Sequence, residues 1–385
     1  GGFHSAEDAD SEDEEGKFYI WDHAEIVKVL GETDAAYFNS YYNVRRGGNF
    51  QSHERYHAGK NILHVTTPIE AFAAQQQQTV DEALVKLAPM REKLLAVRSE
   101  RVRPGLDDKV LTSWNGLMIT AFAQAYQVLG DEAYRTAAVE AADFILREMT
   151  QDGGLLRTHR HGESRLPAYL DDYAMMILAL MDVYEATFDV KWIDEAERLA
   201  AAMITRFWDD DSKGFYFTSD EHENLIVRTR PTYDGAIPSG NSMAALGLLR
   251  LSKFIDNAGY YAKAERVLES NGEHMKQAPQ ADLKMLVVAG DLIYPPQEIA
   301  LAGAEERDGL DAMLRAIHGE FIPNKLLAQI DPESDHAAAV SERIPLLAQK
   351  GLIDGKATAY VCKNFACKKP VTSVDALLEQ LNEDG

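Results

Sequence analysis

Tyr169 to Tyr184 reads YLDDYAMMILALMDVY, and between Ala174 and Met181 no polar side chain falls on any face. A surface helix shows an apolar stripe and a wet opposite side, so this run predicts a helix buried all round. Asp171 and Asp172 stand at its N-terminal end, where unpaired N–H groups and the helix dipole favour negative charge. Two other stretches share the construction, Val110 to Leu129 and Gly240 to Leu251, each apolar along its length with polar groups at its start.

An amphipathic helix follows each of them: Asp131 to Met149, Trp192 to Phe207 and Tyr260 to Met275. The unit is therefore a hairpin of one buried and one half-exposed helix, repeating every roughly 60 to 70 residues. Such hairpins close into a toroid or stack as a solenoid. If they run in parallel, the N-termini of the buried helices share one rim, where Asp107, Asp108, Lys109, Trp114, Asn115, Asp171, Asp172, Asp234, Ser239 and Asn241 gather. Carboxylates, amides and an aromatic face suit a sugar, which offers hydroxyls to bond and a C–H face to stack.

The chain has 385 residues, 46% of them hydrophobic, enough for a large core. A net charge of −23 argues against a phosphate-tracking groove, so no nucleic-acid partner is expected. No segment reaches 18 apolar residues without a charge or breaker, which predicts no membrane span, and cytoplasm is the default location. Two cysteines, Cys362 and Cys367, exclude a disulfide-rich scaffold and read as small buried or turn-lining residues, since CKNFAC is neither a C-x-x-C pair nor a whole zinc site.

The rest divides into an entry segment (1–66) of acidic loop, short helices and strand, the helical hairpins (67–280), and a small α/β domain (281–385). In the first, Asp8 and Asp10 are candidates for an ordered polar loop within an acidic run flanked by Phe3 and FYIW. Helices are expected at 22–30, 33–41 and 69–98. His53, His57 and His64 lack ligand spacing, so no metal is called for. Arg98, Arg101 and Arg103 suit either an anion or a helix C-terminus. In the link Gly214 to Pro238, GFYFTS and NLIVRT alternate as a β-hairpin whose aromatic content favours a lid at the rim, with His159 and His161 near it. Beyond residue 281, strands at 284–290, 324–330 and 358–362 alternate with helices at 302–317, 337–349 and 373–382, which predicts a parallel sheet. Gly290 and Gly303 are too far apart for a phosphate-binding fingerprint, and no cofactor is expected.

Six ordered blocks carry a family likeness: residues 1–21, 107–118, 170–174, 234–242, 322–327 and 357–372. They resemble the thioredoxin-domain-containing family of the spermatogenesis-associated thioredoxin-like protein and its bacterial relatives. The resemblance implies an (α/α)6 toroid of the six-hairpin glycosidase type, similar to N-acylglucosamine 2-epimerases, behind an N-terminal thioredoxin-like domain that would be a partner in the full-length protein. It also implies that this chain begins inside the toroid, which would leave apolar helix faces uncovered and the activity weak. The matched rim residues are Asp8, Asp10, Asp108, Lys109, Trp114, Asn115, Asp171, Asp172, Asp234 and Asn241.

Two functions follow. The first is a glycosidase- or epimerase-type enzyme acting on a small saccharide or oligosaccharide, with Asp108 and Asp172 as the acid and base pair, Lys109 keeping one ionised, Trp114 stacking on a ring, and Asn115 and Asn241 binding hydroxyls. An epimerase would want rim histidines, and the three rim segments hold none. The second is a non-catalytic toroid that binds a glycan or protein for the thioredoxin-like domain. N-capping accounts for one aspartate at each helix and leaves its neighbour over.

Overall fold

The computed structural model describes every residue except 52–54, 224, 305–308, 364–365 and 384–385, together with the side chain of Arg55. His53 lies outside the described residues. The chain forms two compact units, Ala6–Asp108 and a larger one of Gly1–Ser5 with Lys109–Gly385.

In the smaller unit the helices are α1 (His23–Leu30), α2 (Glu32–Tyr41), α3 (Ile69–Gln75) and α4 (Val80–Ser99). The single helix expected over 69–98 is two, because Thr79 and Glu82 form a capping box that starts α4 afresh. Trp21, Ile26, Phe38, Phe72, Leu87 and Leu94 form the core. The acidic run is ordered by short pairings: Asp10–Ser11 with Glu14–Glu15, and Ala6–Glu7 with Leu106–Asp107.

The larger unit is built on three helical hairpins: α5 (Thr112–Leu129) with α6 (Glu132–Glu148), α7 (Leu170–Thr187) with α8 (Lys191–Phe207), and α9 (Gly240–Phe254) with α10 (Ala258–Gln277). The helix α7 is buried all round, with no residue from Tyr173 to Ala186 more than 5% exposed. It lies between α5 and α9 with α8 behind it, so every face meets protein. The amphipathic α8 buries Trp192, Ile193, Ala196, Leu199, Ala200, Met203 and Phe207, one stripe at helical spacing.

Close helix crossings set the spacing of the inner layer. A Cβ on Gly116 of α5 would stand 2.8 Å from the Met175 carbonyl carbon of α7. The contact is with backbone, which cannot swing aside, so Gly116→Ala is expected to cost roughly 1–3 kcal/mol by overpacking. A urea titration checks it, and an unchanged midpoint would mean that the two helices slide apart freely.

Lys284 to Gly290, expected as a strand, is instead the core of α11 (Leu283–Ile293), a fourth inner helix beside α9. A short apolar run does not distinguish the two states by period. Here Met285 and Val288, three residues apart, make the buried face, and the Asp234 carboxylate receives the Lys284 and Met285 N–H groups at the helix start.

The sheet beyond it is mixed and not parallel. Glu298–Ala302 pairs parallel with Leu326–Ile330 and antiparallel with Thr358–Lys363, which pairs antiparallel with Ala366–Cys367. The parallel pair is joined through α12 (Leu310–Gly319), whereas α13 (Ala337–Arg343) and a tight turn at Ile353–Lys356 send the next strand back the other way. One face of the sheet packs Ala300, Ala302, Leu326 and Ala328 into the core of the helical hairpins. The other carries Ile299, Leu301 and Val361 against α12 and α14 (Val374–Asn382).

Among the described residues, the β-hairpin expected between Gly214 and Pro238 does not form a ladder. Gly214–Phe215 pairs with Trp208–Asp209, and one bond joins the Phe217 N–H to the Thr229 carbonyl. Ile226 and Val227 are exposed, so the alternating pattern finds no surface to bury against. Cys362 and Cys367, read as small buried or turn-lining residues, are joined by a disulfide, because the antiparallel pairing of their strands sets the two cysteines directly opposite each other.

Candidate functional site

The N-terminal ends of α5, α7 and α9 meet at a rim, and most of its polar side chains are spent on holding it together. Asp172 is fully buried. Its Oδ1 accepts from the Ser113 N–H (2.9 Å), and its Oδ2 from the Tyr169 N–H (2.8 Å) and the Arg157 guanidinium (3.0 Å). Burial raises its pKa against the pull of Arg157 and the two N–H donors. The carboxylate caps its own helix and ties α5 and the strand Gly154–Arg160 to it.

Asn115 and Asn241 play matching parts in two repeats. Asn115 accepts from the Phe3 N–H and donates to the Phe3 and Leu111 carbonyls. Asn241 accepts from the Phe215 N–H and donates to the Phe215 and Pro231 carbonyls. Each amide mimics a strand neighbour for a passing loop, which uses both its N–H donors and its carbonyl. Asp234 is likewise committed, to the N–H groups of Ser239, Lys284 and Met285 and to the Ser242 hydroxyl.

Asp171 differs from its neighbour. It is half-buried, and its pKa is raised to about 6, chiefly by burial and then by the charge of Asp172, with Arg157 and the Gly240 N–H pulling it down. Gly240 opens α9, and a Cβ there would come within 2.4 Å of the Asp171 Oδ1. Only glycine leaves the carboxylate this seat at a helix N-terminus. Trp114 is 42% exposed at the start of α5, and Lys109, half-buried, lends its carbonyl to the Ser5 hydroxyl. Asp8, Asp10 and Asp108 belong to the other unit, where the Asp8 carboxylate accepts from the Asp10 N–H (3.2 Å).

Sequence reasoning missed an aromatic group at the same rim. The Tyr169 ring stacks on Phe217 (4.8 Å between centroids) and leans on His222 (4.5 Å), with the Arg157 guanidinium 4.8 Å from its centre. His222 is a rim histidine supplied by the long link. The Ser219 N–H must donate to its Nδ1, so its Nε2 carries the proton given to the Pro167 carbonyl. Both nitrogens are thereby engaged in holding the loop.

A cavity of about 590 Å³ runs along the inner faces of α5, α7, α9 and α11 and is bordered by residues 318–326. Gln124, Gln127, Asp291 and Asn324 line it, as do Pro238 and Lys284 next to the rim. In its wall Arg250 pairs with Asp182 (2.8 Å) and Glu185 (3.4 Å), and Glu185 also accepts from the Leu327 N–H. Burial raises Asp291 and lowers His318 to about 4, the latter helped by Lys325. Asp182 and Glu185, one helical turn apart on a helix buried all round, were the signal available for this network. Among the described residues no group of three or more His, Cys, Asp or Glu is placed to hold a metal ion, and no helix is long and apolar enough to cross a membrane.

Fold and rim together define a mainly α protein of paired inner and outer helices. No family model matches the chain. It is similar along nearly its whole length to human spermatogenesis-associated protein 20, 31% identical over 401 residues that cover 97% of this chain and 51% of the relative. An uncharacterized Caenorhabditis elegans protein is 29% identical over 408 residues, covering 100% of this chain and 55% of that protein. The chain spans about half the length of the curated relatives it matches. Solved structures with a partial likeness include a cellobiose 2-epimerase from Spirochaeta thermophila (TM-score 0.40, 14% identity, 48% of this chain and 54% of that one). A GH76 alpha-mannanase of Bacteroides thetaiotaomicron is alike to the same degree (TM-score 0.40, 14% identity, 57% and 58%).

Proposed function

We propose that the protein acts on a saccharide at the rim, with Asp171 as the acid or base, in chemistry of the glycosidase or epimerase type. The observation that carries this is the half-buried Asp171 carboxyl with its pKa raised to about 6, at the same rim where Trp114 is exposed at the start of α5. A general acid works best with a pKa near the operating pH, and a sugar ring stacks on an indole face. The amides and carboxylates of the adjoining cavity would serve its hydroxyls. Lys109, in the same unit as Asp171, remains a proposed substrate contact.

A second reading is a non-catalytic glycan- or protein-binding array serving a thioredoxin-like domain. The full hydrogen-bonding commitments of Asp172, Asn115, Asn241 and Asp234 favour it, since those groups have little left to give a substrate. A thermal-shift screen against mono- and oligosaccharides tests both. A ligand at one hundred times its dissociation constant should add roughly 2.7 kcal/mol of stability. Turnover of a stabilising sugar supports catalysis, stabilisation without turnover supports binding alone, and no shift with any compound removes the saccharide.

Asp171→Asn is the clean variant, because an amide oxygen can still accept from the Gly240 N–H. If Asp171 is the acid, turnover should fall as pH rises through about 6 and vanish in the variant. Stability carries an independent mark. A carboxyl raised from 3.8 to about 6 binds its proton in the folded state where the unfolded chain has released it. Stability therefore falls as pH rises between those values, by up to about 3 kcal/mol. Asp171→Asn should thus be the more stable protein at pH 7 and equal to the parent near pH 3; equal melting points at both would refute the raised pKa.

A further inference from the structure

A second cavity, of about 460 Å³, opens beside the sheet far along the chain from the rim residues, and both cysteines belong to its lining. Lys253, Tyr261, Glu298 and Lys350 share that lining. The disulfide is lopsided: Cys362 is 2% exposed, on a strand flanked on both sides, whereas Cys367 is exposed on the edge strand. The Lys350 ammonium lies 3.5 Å from the Cys367 Sγ and 5.0 Å from the centre of the Tyr360 ring. A structural disulfide needs none of these: an open approach, a cation at one sulfur, and one sulfur held in the core while the other faces solvent.

We infer that Cys362–Cys367 is a thiol–disulfide exchange site for a dithiol reductant that docks in this cavity. The reductant's thiolate attacks the exposed Cys367 Sγ. A mixed disulfide forms, the bond between the two cysteines breaks, and its electron pair leaves on the Cys362 Sγ, which takes up the proton released by the reductant's second thiol. That second thiolate then attacks the reductant's own sulfur in the mixed disulfide. The Cys367 Sγ departs as a thiolate beside Lys350, the reductant becomes a disulfide, and two electrons have reached the protein. A neighbouring ammonium favours a thiolate over a thiol, both as leaving group and, in the reverse direction, as nucleophile.

The test uses the air-oxidised full chain and dithiothreitol as the dithiol. Free thiols are counted with a chromogenic disulfide over time in native buffer, and the reduced protein is then alkylated with iodoacetamide at pH 7. The expected results are reduction without denaturant, alkylation at Cys367 ahead of Cys362 by mass spectrometry, and a roughly tenfold slower alkylation of Cys367 in Lys350→Met. Lys350→Arg should keep most of the rate. Added salt should slow the parent protein, a readout that needs no variant to fold. Cysteines that stay reduced in air, a disulfide that opens only in denaturant, or a Cys367 rate indifferent to Lys350 and to salt would each overturn the inference.

Discussion

Replacing Asp172 by alanine is expected to cost about 3–5 kcal/mol of folding stability, enough to leave much of the protein unfolded near body temperature. The substitution deletes a fully buried carboxylate and strands three donors at once: the Ser113 N–H, the Tyr169 N–H and the Arg157 guanidinium. Each buried donor left without an acceptor carries its own desolvation cost, and the charged one carries the most. Asp172→Asn is not a silent control. Its NH2 must face either Ser113 or the pair from Tyr169 and Arg157, donor against donor, so it too should destabilise, by about 2 kcal/mol. Urea melts of both variants check the order. Should Asp172→Ala melt with the parent, the carboxylate would have no structural part and its candidacy as a catalytic group would revive.

Arg250→Ala is expected to cost a similar amount, about 3–5 kcal/mol, because it leaves Asp182 and Glu185 buried without their counter-charge. Arg250 links α9 to α7, and through Glu185 the network reaches the Leu327 N–H of the sheet, so the loss loosens the joint between hairpins and sheet. The pH dependence identifies the cause. Burial already raises the pKa of Glu185, and without Arg250 it should rise further. The folded variant would then hold protons that the unfolded chain has released, so its deficit should shrink as pH falls towards 4. A deficit equal at pH 8 and pH 5 would point to lost packing of the arginine stem instead.

The hairpin built on α7 was legible because burial on every side leaves a mark on composition. From Ala174 to Met181 no polar residue appears, and α5, α7 and α9 all begin with their polar groups. The gathering of those N-termini at one rim was also legible, given parallel hairpins. What each rim residue does was not. Asn115 and Asn241 read as hydroxyl binders, yet their partners are loop backbones 112 and 26 residues away, which no local pattern reports. Asp171 and Asp172 are adjacent and chemically alike; one is enclosed by three donors and the other is half-buried at a glycine, and that difference alone separates a cap from a titrating group.

The sequence by itself determined the class of the chain, the order of inner and outer helices in its three hairpins, and the presence of an α/β segment after them. Local periodicity and capping are written in neighbouring residues, so they survive without coordinates. Only the tertiary structure decided that Lys284–Gly290 is a helix, that the sheet is mixed, that Cys362 meets Cys367, and that Arg250 joins Asp182 and Glu185. Those outcomes depend on which distant surfaces meet. A short apolar run is stable as helix or strand according to the neighbour it packs on, and a charge is paired or stranded according to what folds back against it.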